Sequence, residues 1–109
     1  MCIRDSIEHI VKILIRWEIR FAQDYPLLAK AGRPITSDGD LSGFTSLETY
    51  ARGELETYPA RLLSLYSDYV DTLLSQGRSL SVMMQETTVH LYGYASIEEA
   101  EKSLSEPEV

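Results

Sequence analysis

The stretch Pro59 to Gln76, PARLLSLYSDYVDTLLSQ, decides the fold. On a 3.6-residue period Leu62, Leu63, Leu65, Tyr66, Tyr69, Val70, Leu73 and Leu74 share one half of the wheel. Arg61, Ser64, Asp68, Asp71, Thr72 and Ser75 share the other. That split predicts a helix laid across a core. Pro59 falls in its first turn, where a missing N–H costs nothing, and Gly77 stands just past its end. The helix is therefore predicted to be the floor against which the others pack.

Toward the N-terminus, Ile7, Ile10, Val11, Leu14, Trp17, Phe21, Tyr25 and Leu28 keep helical spacing and predict a first helix from Ile7 to about Lys30, kinked or ended by Pro26. Ala31 to Gly43, AGRPITSDGDLSG, has no periodicity and reads as a connecting loop. It is longer than most helix connections, which makes it functional or mobile. Thr45-Ser46-Leu47-Glu48 has the pattern of a capping box and opens a second helix, carried by Leu47, Tyr50, Ala51 and Leu55. Tyr58 precedes a proline and is pushed out of the helical region, so that helix ends near Thr57.

Beyond Gly77, a fourth helix carries Leu80, Met83, Met84, Thr87 and Leu91 on one face and stops at Gly93. Ser96-Ile97-Glu98-Glu99 repeats the capping-box pattern, and Ile97, Ala100 and Leu104 predict a short last helix that frays from Ser105. No stretch alternates apolar and polar residues as a half-buried strand does. The predicted architecture is all-α, a compact bundle of four main helices plus a short C-terminal helix. No internal repeat is present.

A chain of 109 residues holds one domain and buries enough surface to need neither metal nor disulfide for folding. A net charge of −7 argues against a nucleic-acid or anionic-membrane partner. No apolar run approaches the length of a membrane span. The opening residues Met1-Cys2-Ile3-Arg4-Asp5 resemble the in-frame translation of a sequencing-library adapter, with the junction at Ser6. On that reading residues 1–6 are a scar on a metagenomic fragment, 7–105 are the domain and 106–109 a frayed tail. The native N-terminus then lies further upstream. The native segment would also lack cysteine, which fits a cytoplasmic protein.

Polar groups on apolar faces mark the candidate site. Glu18 falls between Leu14 and Val11 on the first wheel, and Glu54 between Leu47 and Tyr50 on the second. On the fourth, His90 flanks Met83, with Glu86 one turn before it. Glu18, Glu54, Glu86 and His90 could hold a divalent metal or perform acid/base chemistry, as inward Glu and His do in helix bundles. Glu86 and His90 are four apart, however, unlike the Glu-x-x-His of di-iron bundles. Alternatively each carboxylate is satisfied by a tyrosine hydroxyl or by an arginine, with Arg33, Arg52 and Arg78 the candidates. A third reading is that a face taken as buried is partly exposed.

No nucleophile elbow, Ser-x-x-Lys pair or cofactor-binding motif is present, so no catalytic residue is assigned. Gly32-Arg33-Pro34 and Asp38-Gly39-Asp40 are ordinary turn formers. His9 lies on a polar face and is predicted to be solvated, and Met83-Met84 is read as core filler. Ile13, Ile15 and Ile19 widen the first helix's apolar arc beyond what one neighbour needs, which suggests a homodimer or protein partner through that helix.

Trp17-Glu18 with Phe21, Gly32-Arg33, Tyr58-Pro59 with Leu62-Leu63 and Tyr66, Gly77-Arg78 with Leu80, and Gly93-Tyr94 with Glu98-Glu99 form a set of short motifs. Together they resemble the bacterial domain-of-unknown-function family 4125 over about Ile10 to Lys102. The resemblance implies a bacterial, helical, self-contained domain and brings no activity with it. Two function classes follow from the residues. One is an accessory or interaction domain with a structural buried polar network. The other is a metal-dependent or acid/base enzyme using Glu18, Glu54 and His90 around a pocket closed by the loop from Ala31 to Gly43.

Overall fold

The computed structural model describes residues 2–31, 35–37 and 45–105. Six helices run along them: α1 Ile3–Asp24, α2 Pro26–Lys30, α3 Leu47–Leu55, α4 Ala60–Ser75, α5 Leu80–Leu91 and α6 Ile97–Ser105. Among the described residues there is no strand, and the predicted all-α class holds.

The helix ends follow local chemistry. α1 begins at Ile3 rather than Ile7, because the Cys2 thiol accepts from the Asp5 N–H at 3.4 Å and the Cys2 carbonyl from the Ser6 N–H at 3.1 Å. Its far end is set by Pro26, which stands in the first turn of α2 where its missing N–H is harmless. The next two amides of α2 would be orphans, and the Glu101 carboxylate of α6 accepts from both Leu27 and Leu28, at 3.0 and 2.9 Å. This cap comes from a helix more than seventy residues away along the chain, so no local pattern announces it.

Ser46, not Thr45, caps α3 by accepting from the Thr49 N–H at 3.1 Å. Glu48 does not turn back on the cap as a capping box requires. It accepts from the Ser37 N–H at 2.8 Å, while the Glu48 N–H donates to the Ile35 carbonyl at 2.9 Å, which ties residues 35–37 to α3. At α6 the box is closer to the predicted form. Ser96 Oγ accepts from the Glu99 N–H at 3.1 Å, and Glu99 reaches back to the Ala95 N–H at 2.7 Å.

Glycine ends α4 and α5 as the sequence predicts. Gly77 and Gly93 have φ of 69° and 90°, a conformation costly for any residue with a Cβ. Each turn is closed by the double bond of a Schellman motif: Arg78 N–H to Leu73 O with Gly77 N–H to Leu74 O, and Tyr94 N–H to Val89 O with Gly93 N–H to His90 O.

The packing corrects the predicted centre. The floor of the bundle is α1, which packs against α2, α3, α4 and α5, while α6 closes on α2 and α5. Ile7, Ile10, Val11, Ile13 and Trp17 form one core with Leu55, Leu63, Val70 and Leu73. One turn further on, Phe21 joins Val89, Ile97 and Ala100 in a second. Ile13 is buried and Ile15 is packed against the first core, so the surplus width of the α1 arc is used inside the chain; Ile19 stays exposed.

α4 is the opposite case. Leu63, Val70 and Leu73 are buried, but Leu62, Leu65, Tyr69 and Leu74 are 44%, 57%, 47% and 41% exposed. Its main neighbour is α1, which covers only part of its apolar half. The face of α5 is also turned from the predicted one: Ser81 and Val89 are buried, whereas Met84 and Leu91 are exposed. Leu104 on α6 is exposed as well. Extents of 54 × 34 × 21 Å explain these faces, because 21 Å is the thickness of two helices and leaves each with an outer side.

Candidate functional site

The helices α1, α3 and α5, with Tyr58 before α4 and Tyr66 on it, line an apolar cleft of about 210 Å³. Leu14, Leu55 and Leu80 form its walls, and Tyr50 and Met84, both exposed, stand at its mouth. Two of the predicted carboxylates open into it. Glu18 is half-buried on α1 and accepts from the Ser81 hydroxyl of α5 at 2.5 Å, while Ser81 itself is 3% exposed. A buried hydroxyl needs such an acceptor, and Glu18 supplies it; of the predicted α5 face Leu80 and Met83 still pack on the core, while Met84 and Leu91 do not. Glu54, exposed on α3, accepts from the Tyr58 hydroxyl at 2.9 Å.

The Tyr58 and Tyr66 rings lie beside that carboxylate with centroids 6.4 Å apart, tilted by 40°. The hydrogen bond to Glu54, with burial added, raises the Tyr58 phenol above its ordinary pKa. Burial first, and then the Glu54 charge, does the same to Tyr66. In both, the Glu54 charge adds a smaller contribution in the same direction. Among the described residues no lysine, arginine or histidine lines the cleft.

The other two candidates sit elsewhere. Glu86 and His90, both exposed, line a separate pocket of about 190 Å³ between α5 and the start of α6. His90 Nε2 lies 3.1 Å from the Ala95 carbonyl. Of the four predicted inward groups only Glu18 is turned toward the interior. Among the described residues no three His, Cys, Asp or Glu side chains converge on a point that could hold a metal ion.

The arginines have different partners from those predicted. Arg52 bonds Glu8 of α1 through Nε and Nη2, at 2.7 and 3.1 Å, and Glu48 at 3.0 Å, so it joins α1 to α3 away from Glu18 and Glu54. Its guanidinium holds both carboxyls below their ordinary pKa, with the Ser37 amide the largest influence on Glu48. Arg78 reaches the Met83 sulfur at 3.6 Å. Arg33 and most of the loop predicted to close the pocket lie outside the described residues. Ile35 is within them and lines a neighbouring cavity of about 280 Å³ with Glu18, Ser81 and Met84. His9, predicted to be solvated, meets Asp71 of α4 at 2.7 Å.

Sequence reasoning missed Ser81; it offered a tyrosine hydroxyl as a partner for each carboxylate, and Tyr58 is that partner for Glu54, though the sequence did not single it out. The spacing of Glu54 and Tyr58, four apart across the end of α3, was a readable signal. Ser81 is legible only once Glu18 is known to face α5.

A family model described as Protein of unknown function (DUF4125) matches residues 2–102. The chain belongs to this family. The DUF4125 match takes in all of α1 to α5 and most of α6, so the cleft lies wholly within it. Comparison with curated proteins and with solved structures gives no match. Among the described residues no helix is long and apolar enough to cross a membrane.

Proposed function

We propose that this chain is a small interaction domain that self-associates through the outer face of α4. The observation that carries the reading is the row Leu62, Leu65 and Tyr69, spaced three and four apart and 44–57% exposed on a helix packed mainly on α1. Arg61 and Asp68 flank the row on one side. Antiparallel pairing about a two-fold axis near Leu65 sets Leu62 against Tyr69 of a second copy and brings Arg61 toward Asp68 of that copy. The pairing thus sets apolar side chains together and opposite charges beside them. The part-buried Glu18–Ser81 bond ties α5 to α1. One cysteine in 109 residues supports a reducing, cytoplasmic setting.

Acid/base catalysis by Glu18, Glu54 and His90 lacks its third group, since His90 belongs to another pocket. Sedimentation velocity over a range of protein concentrations tests the dimer. The parent is expected to dimerise, and Leu65→Asp to sediment as a monomer with unchanged helical circular dichroism. A parent that stays monomeric throughout, or a dimer that survives Leu65→Asp, overturns the reading.

A further inference from the structure

We infer that the cleft between α1, α3, α4 and α5 binds a small organic ammonium ion with an apolar tail. The tail is selected by the walls: Leu14, Leu55 and Leu80 offer no polar partner to a sugar, nucleotide or peptide backbone. Size is selected by the volume of about 210 Å³. Benzene fills an apolar cavity of about 150 Å³, so one ring or a branched chain plus a short polar arm fits.

Charge is selected by what lines the cleft. Glu54 and Glu18 both open into it, and among the described residues no basic side chain does. The Tyr58 and Tyr66 rings line the cleft next to Glu54, and aromatic rings attract a cation through their π-systems. An anionic ligand is repelled there. The ammonium group sits against Glu54 and the two rings at the mouth, and the tail points inward. Glu18, already bonded to Ser81, contributes charge from the far side of the cleft.

This site is independent of self-association, because Leu62, Leu65 and Tyr69 do not line it. The test uses 2-phenylethylamine and its neutral isostere 2-phenylethanol, titrated into the full chain and followed by amide chemical shifts. Binding of the amine is expected to shift the amides of Ala51, Leu55 and Ser81, with the alcohol about tenfold weaker. Glu54→Gln, at an exposed position that leaves the fold intact, is expected to reduce the amine to the level of the alcohol. Tyr66→Phe keeps the ring and is expected to keep the preference for the amine. Equal binding of amine and alcohol overturns the inference. So does amine binding indifferent to Glu54→Gln, or no shift with either probe up to about 10 mM, beyond the weakest affinity of interest.

Discussion

Arg52 shows how a long side chain sets the relation between two helices. One guanidinium bridges Glu8 on α1 and Glu48 on α3, and its own side chain is 32% exposed. Both carboxyls titrate below their ordinary value of 4.5 in the folded chain, so the unfolded chain takes up protons first as pH falls. The stabilisation is therefore complete above pH 4.5 and is lost as pH drops through the lowered folded values. Arg52→Gln is expected to cost about 0.5–1 kcal/mol at neutral pH, small because Glu8 is half-exposed. Urea titration at neutral pH and near pH 3 should show the gap between parent and variant closing. At the alkaline end the sign reverses. Tyr25 and Tyr58, held neutral by Glu98 and Glu54, stabilise the fold below pH 10 and cease to as pH rises through their raised values. The sequence named Arg52 but not its partners, because a helical wheel gives a direction and not the reach of a flexible arginine.

At the scale of helices, the width of the apolar arc carried the information, and it was misread in both directions. α1 has more apolar positions than one neighbour needs because four helices pack on it, so Ile13 went to the core. α4 shows the cleaner split, yet α1 covers only part of it. A wheel counts apolar residues and cannot say how many partners will share them. The distinction is measurable on one helix. Leu73→Ala, at a side chain 2% exposed, should destabilise by about 2–5 kcal/mol, while Leu62→Ala, at 44%, should cost less than about 1 kcal/mol. Similar losses at both positions in denaturant titrations would contradict the one-sided packing of α4. Helix ends were far more legible, since glycine and proline act through their own backbone. Gly77→Ala is expected to cost about 1 kcal/mol, because Gly77 has room for a methyl group but a φ of 69°. The Glu101 cap on α2 was illegible for the converse reason. It depends on two helices meeting, and Glu101→Ala should lose about 1–2 kcal/mol by leaving two amides without their acceptor.

For the whole molecule, charge separates the two proposals. Each copy carries −7, and two copies joined through their broad faces lie about one thickness, 21 Å, apart. Treating each charge as a point gives a repulsion of roughly 5 kcal/mol at 0.01 M salt, where the screening length is about 30 Å, and under about 1 kcal/mol at 0.15 M, where it is about 8 Å. These are upper bounds, because the charges are spread over the surface. The apolar attraction through Leu62, Leu65 and Tyr69 is insensitive to salt over that range. Self-association is therefore expected to strengthen between 0.01 and 0.15 M salt, by about tenfold. Amine binding in the cleft has the opposite sign, because there salt screens an attraction between Glu54 and a cation. Sedimentation and amide-shift titrations run at both salt concentrations should give slopes of opposite direction. A dimer that weakens with salt would mean that Arg61 and Asp68, and not the apolar row, hold it together.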